Sequence, residues 1–229
     1  MRAVPRFTLW HSSKTRSVRA LWAFHEMGLR QDRDFTVNHL SFPPRQHHPE
    51  YTSSTNPLGT VPWFEHREAW DEIPRASMSE SCAVPQYVAE LLQSPLAMRL
   101  GVDREYGSYL NWIAHADATL TVPQAVVMRY GLFERGRADA AVDDYSRWFV
   151  ARLRLLNLAL NDGRAFLCGG RLTVADIVVG NFTGPEPHPR PPYCVALLLA
   201  YLRHLLWPRC GKRTRSSTRP STVCAARGS

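Results

Sequence analysis

The chain has 229 residues, enough for one large domain or two small ones, and 45% of them are hydrophobic, a globular composition with ample core. Its net charge of +8 is concentrated: residues 1–182 carry 20 basic and 19 acidic side chains, residues 183–229 carry 8 and one. The body thus has no basic face for nucleic acid, no apolar run approaches the ~20 residues of a membrane span, and no apolar signal opens the chain, so a soluble cytoplasmic protein with no nucleic-acid or membrane partner is expected.

Phe7 to Trp10 predicts a first strand, and Val18 to Met27, apolar at Val18, Leu21, Trp22 and Phe24, a helix stopped by Gly28. Asp34 to His39 alternates as a second strand, and Ser41 to Thr55, rich in Pro, His and Ser, predicts an irregular helix. Val61 to Phe64 and Ala76 to Met78 predict two more strands around a loop from Glu68 to Pro74. Ser81 to Leu92 closes the unit as a helix with Ala83, Val84, Tyr87, Val88, Leu91 and Leu92 at helical spacing. This β-α-β-α-β-β-α order is thioredoxin-like.

After Gln93-Ser-Pro95, which reads as a linker, no strand-like run occurs, and helices are predicted over 106–116, 120–134, 139–160 and from Thr173. The fold class expected is α+β with two domains: a thioredoxin-like N-terminal domain over 5–92, a linker over 93–105 and an all-helical C-terminal domain over 106–182. Thr173-Val-Ala-Asp176 is a capping-box variant just before an apolar run. Beyond Phe182 the pattern breaks, because the proline-rich stretch Thr183 to Pro192 cannot be helical and Arg209 to Ser229 is rich in Arg, Ser, Thr and Cys. Residues 183–229 are expected to be an atypical tail, either disordered, frame-shifted or a genuine lineage-specific addition.

Two short motifs are built to hold a peptide-like ligand through backbone and hydroxyl groups. In Asn56-Pro-Leu-Gly-Thr-Val-Pro62 an X-Pro bond falls at a strand start, where it is either an ordinary edge proline or a cis bond that turns the backbone of Val61 toward an extended ligand. In Ser79-Glu-Ser-Cys-Ala-Val84 a hydroxyl and free N–H groups sit at a helix N-terminus, as a plain cap or as a carboxylate site. Only Cys82 and Cys168 precede the tail; an odd total of 5 cysteines, widely spaced and without Cys-x-x-Cys, argues against a disulfide framework and a zinc site, so no metal is expected.

In this order, about eighteen residues apart and followed by Phe166-Leu-Cys-Gly-Gly170 before the Thr173 cap, the motifs resemble the cytosolic glutathione S-transferase superfamily, in a bacterial-type, serine-type (theta/phi-like) form, over residues 5–182. The resemblance implies glutathione as co-substrate, with Val61 and Pro62 on its cysteinyl unit and Glu80 and Ser81 on its γ-glutamyl carboxylate. Gln46 and His47 are the candidates for its glycyl carboxylate, with solvated loop residues as the alternative. A glutathione thiol has a pKa near ~8.5, so its use near neutral pH calls for a hydroxyl and a helix N-terminus aimed at the sulfur. The loop His11-Ser-Ser-Lys-Thr-Arg-Ser-Val18 offers Thr15 first and Ser13 second, Thr15 as a plain helix cap being the other reading. That loop holds neither cysteine nor tyrosine, which argues against the thiol and tyrosine mechanisms.

Trp112 and His115, with Tyr130, are placed either to line a second-substrate cleft or, for the aromatics, as helix-packing core. The function implied is detoxification by conjugation of the glutathione thiolate to an electrophilic small molecule, or reduction of a peroxide, by a homodimer. The alternatives are a non-catalytic interaction module of the same fold, or a glutathione-dependent isomerase, whose Ser-Ser-Cys loop Ser12-Ser13 matches in part.

Overall fold

A computed structural model of the chain describes residues 6–68 and 71–180. The first half runs β1 (Phe7–His11), α1 (Val18–Glu26), β2 (Phe35–His39), α2 (Pro44–His47), α3 (Pro49–Ser54), β3 (Trp63–His66), β4 (Ala76–Met78) and α4 (Ala83–Leu91). Its sheet is mixed, in the order β2-β1-β3-β4, with β2 parallel to β1 and the other neighbours antiparallel. Phe7 and Leu9 alternate inward along β1 and are fully buried with Phe24, Phe35 and Phe64. The rings of Phe7, Phe24 and Phe64 lie 5.6–6.1 Å apart. Gly28, at φ 76, ends α1: the N–H of Leu29 reaches the Phe24 carbonyl and that of Gly28 the His25 carbonyl, the paired bonds that close a helix on a left-handed residue.

The second half is helical: α5 (Tyr106–Ala114), a π-helical turn over His115–Leu120, α6 (Thr121–Met128), a second π turn over Arg129–Phe133, α7 (Asp139–Ala159) and α8 (Val174–Gly180). The helices predicted over 106–116 and 120–134 are therefore continuous, joined through a widened turn. Pro123 supplies no N–H to the carbonyl one turn back, and within the widened turn Thr121 Oγ1 donates to the Ala116 carbonyl at 3.0 Å. One half of the capping box forms, the Asp176 carboxylate reaching back to Thr173, whose N–H and Oγ1 donate to Asp176 Oδ2 at 2.9 and 2.8 Å. The Leu167 N–H adds a donor to Asp176 Oδ1 at 2.8 Å.

The architecture is thus a thioredoxin-like α/β half followed by a helical half. The helical core also takes in Ala23 of α1 and Cys82 and Ala89 from around α4, so the halves pack closely. Three predicted elements shift. The irregular helix over 41–55 is two short helices broken at Pro49, β3 begins at Trp63 because Pro62 has no N–H for the ladder, and α4 begins at Ala83. The tail over 183–229 and the outer edges of both expected domains lie outside the described residues.

Candidate active site

Residues 12–17 carry the chain from the end of β1 into α1, with Lys14 at φ 62 making the turn. His11 takes the next inward position after Phe7 and Leu9 and is 1% exposed. Its Nδ1 lies 2.8 Å from Ser17 Oγ, which lies 2.6 Å from Thr15 Oγ1. Thr15 Oγ1 is in turn 2.7 Å from the Ser12 carbonyl oxygen. Two backbone donors are fixed on the same chain of hydroxyls: Ser12 N–H on Ser17 Oγ at 3.2 Å and Ser17 N–H on Thr15 Oγ1 at 3.3 Å. Thr15 Oγ1 thus makes the bond of a helix cap to the N–H two residues on, while its own proton lies on the Ser12 carbonyl. Ser13 is exposed, and its hydroxyl makes no hydrogen bond among the described residues.

The turn before β3 is equally constrained. Asn56, fully buried, donates from Nδ2 to the Thr60 carbonyl at 2.8 Å and accepts the Leu58 N–H at 3.1 Å. The Tyr51 hydroxyl donates to the same Thr60 carbonyl at 2.7 Å. Gly59 has φ 59, and a Cβ there would stand 2.7 Å from the Cβ of Arg45, so only glycine fits. The Val61-Pro62 bond is cis, as is Phe42-Pro43. The N–H and C=O of Val61 enter no hydrogen bond among the described residues.

At the N-terminal end of α4, Ser81 is buried and Glu80 exposed. The backbone N–H groups of Ser81 and Cys82 have no hydrogen-bond partner among the described residues. Arg19, fully buried in the first turn of α1, donates from Nη1 to Ser81 Oγ at 2.8 Å and to Cys82 Sγ at 3.1 Å. The same nitrogen is 3.5 Å from Asp117 Oδ1, in the π turn of the helical half. Burial lowers the pKa of the Arg19 guanidinium, against the opposing pull of Cys82 and Asp117. Burial also pushes the Cys82 thiol up to about 11, so it is neither a nucleophile nor a ready redox centre near neutral pH.

Strand register brings these pieces to one end of the sheet. Trp10 faces Trp63 and Phe64 faces Met78, so two residues further along Ser12 falls level with Val61, and Pro62 with Glu80. A hydroxyl at a helix start, a free strand backbone and a pair of free N–H groups thus share one rim. No protein-family model matches the chain, and no curated protein matches its sequence. Solved structures do. A glutathione transferase homologue from Lodderomyces elongisporus, with two glutathione molecules per subunit, superposes with a TM-score of 0.68 at 17% identity over 91% of each chain. A glutathione transferase from Phanerochaete chrysosporium with oxidized glutathione gives 0.66 at 18% identity, over 90% of this chain and 91% of that one. A glutathione transferase family member from Pseudomonas fluorescens, with two glutathiones bound, gives 0.66 at 19% identity over 89% of this chain and 82% of its own. The chain has the glutathione transferase fold. At these identities the likeness is one of fold.

The other residues expected at a site within a glutathione transferase fold are less gathered. Gln46 and His47 are exposed on α2 and make no side-chain hydrogen bond among the described residues, whereas His48 accepts the Ser41 N–H at 3.0 Å and holds the loop. Trp112 is 6% exposed in the helical core, with the His115 ring edge-on at 5.3 Å. Trp112 also borders a groove lined by Leu155 and Leu158 of α7, and His115 is half-buried in the π turn beside it. Asp117 is the residue of this stretch that reaches the rim.

His11 and Arg19 escaped the sequence reading, although each carried a signal. His11 continues an inward period-2 pattern, and Arg19 lies one turn before Ala23 on the apolar face of α1. Among the described residues no three His, Cys, Asp or Glu side chains gather as metal ligands, and no helix is long and apolar enough to cross a membrane.

Proposed function

We propose that the chain is a glutathione S-transferase that binds glutathione along the rim formed by Thr15, Val61 and Ser81. The observation that carries this reading is the convergence there of unspent backbone groups at Val61, Ser81 and Cys82 with the ordered hydroxyl of Thr15. Two N–H groups and a hydroxyl at the start of α4 suit a carboxylate such as the γ-glutamyl end. The free N–H and C=O of Val61 suit an extended cysteinyl unit, with Pro62 fixing the bend, and Glu80 suits the γ-glutamyl ammonium. Gln46 and His47 are assigned to the glycyl carboxylate.

Bringing a thiol of pKa ~8.5 to half-ionised near neutrality takes about 2 kcal/mol. A hydroxyl donating to an anion supplies about 1.5–3 kcal/mol and a helix N-terminus about 0.3–1 kcal/mol. Thr15 is placed first for this role because its hydroxyl is already ordered at the start of α1; Ser13 is second, since ordering an exposed side chain has an entropic cost. The thiolate then attacks an electrophilic small molecule or a peroxide. The same reading carries a two-fold homodimer, a cytoplasmic setting, a detoxifying role and no metal.

Retention of the full chain on immobilised glutathione, eluted by free glutathione and lost in the Glu80→Ala/Ser81→Ala double variant, is the expected result. Thr15→Val should then retain binding but lose about 10–100-fold in conjugation rate, with Ser13→Ala near wild type. A folded protein that is not retained would overturn the transferase reading and favour a non-catalytic interaction module.

A further inference from the structure

The turn between β1 and α1 contains three short contacts in series and only two hydroxyl protons to fill them. Thr15 Oγ1 is 2.7 Å from the Ser12 carbonyl oxygen, a group with no proton of its own, so the Thr15 proton must fill that contact. The 2.6 Å contact between Thr15 Oγ1 and Ser17 Oγ then takes the Ser17 proton. Nothing is left on either hydroxyl for the 2.8 Å contact between Ser17 Oγ and His11 Nδ1. That contact is filled only if the imidazole carries its proton on Nδ1. The reverse assignment, with Ser17 donating to a bare Nδ1, draws the Thr15 proton to Ser17 and leaves two oxygens facing each other at 2.7 Å with no hydrogen between them.

We infer that His11, through an Nδ1–H, is the root of a donor chain His11–Ser17–Thr15 whose polarity runs outward to the rim. The two fixed backbone donors run the same way, Ser12 N–H into Ser17 Oγ and Ser17 N–H into Thr15 Oγ1. Hydrogen bonds aligned in series polarise one another, so the last hydroxyl is a stronger donor than a lone threonine. Without a ligand its proton rests on the Ser12 carbonyl; a thiolate at the rim takes that O–H in the carbonyl's place, while Ser17 keeps its proton on Thr15 Oγ1 and His11 keeps its own on Ser17 Oγ. No proton changes owner. His11 and Ser17 are therefore positioning residues, and this role rests on the glutathione reading above. The titratable group facing His11 from the neighbouring strand is His39, its ring edge-on at 5.5 Å.

The test has two independent parts. Nitrogen-15 NMR of the imidazoles in the full ligand-free chain, assigned with His11→Gln, should show the Nδ1–H tautomer; an Nε2–H form with a bare Nδ1 overturns the chain outright. Ultraviolet titration of bound glutathione thiolate should show the thiol pKa rising by about one unit in Ser17→Ala and in His11→Phe, a roughly tenfold loss of thiolate below that pKa, with KM for glutathione within about twofold. An unchanged thiol pKa in both variants overturns the outward aim. If the wild-type chain does not bind glutathione, the functional reading fails and sulfur is lost as the target, while the tautomer alone decides whether the chain of donors exists.

Discussion

Along the rim of the sheet, Thr15 and Val61 stand on turns that their own near neighbours hold in place, Ser12 and Ser17 around Thr15 and Asn56 and Tyr51 behind Val61, while Ser81 is held from α1 by Arg19. In the helical half, Trp112 is drawn into the core and His115 lies half-buried against it, where burial, with Arg152 nearby, lowers the His115 pKa below its ordinary value. A turn fixed by short-range hydrogen bonds leaves its outward groups unspent, so they remain available to a ligand. A helix face is assigned by whatever packs on it, and that is settled at long range. The two regimes meet at Arg19, which ties α1 to Ser81, Cys82 and Asp117.

The largest effect is expected at that junction. Arg19→Met keeps the bulk but removes a fully buried cation from Ser81, Cys82 and Asp117, and should destabilise the chain by about 3 kcal/mol in urea unfolding. Retention on glutathione should fall with it, since Ser81 loses the donor that orients its hydroxyl. A loss below about 1 kcal/mol with binding intact would show that the rim stands without the helical half, which would break the contrast.

The same contrast explains what could be read before the structure. The succession of strands and helices along the first half, the turn at Gly59, the proline at 62 and the Thr173–Asp176 cap all depend on residues within a few positions of one another, and each was legible. The breaks at Pro49 and Pro62 shift element ends by a few residues for the same local reasons. The burial of Trp112 belongs to a core that draws on Phe149 and Leu156 of α7, far along the chain, and stayed open in the sequence. Arg19 was missed because a charged side chain on an apolar helix face reads as solvated until its partners, sixty residues off, are known. His11 was missed because a strand-end histidine shows its role only once Ser17 turns back onto it.

A second, smaller effect separates the halves. Asp176 accepts three hydrogen bonds, two from Thr173 and one from Leu167. Asp176→Ala should destabilise the chain by about 2 kcal/mol while leaving glutathione affinity per folded molecule unchanged. Burial raises the Asp176 pKa despite those three donors, which pull it the other way. The folded state therefore binds this proton more tightly than the unfolded one, and its contribution to stability falls as pH rises from the unfolded value near ~3.9 through the raised folded value. Asp176→Asn should flatten stability against pH over that window; an unaltered slope would mean the carboxylate is as well held folded as unfolded.

The smallest effects belong to the exposed side of the rim. Gln46 and His47 sit on α2 in solvent, so Gln46→Ala and His47→Ala should each change stability by less than about 0.5 kcal/mol. If they hold the glycyl carboxylate, each loses a solvent-screened contact of about 1 kcal/mol, a roughly fivefold rise in KM for glutathione with kcat unchanged. That pattern is the mark of binding that is equal in ground and transition states, and it differs in kind from the loss of rate expected at Thr15. Unchanged KM in both variants would remove α2 from the site and confine recognition to the hydrogen-bonded turns. The rim would then consist of two locally oriented turns and of Ser81, held from α1 by Arg19.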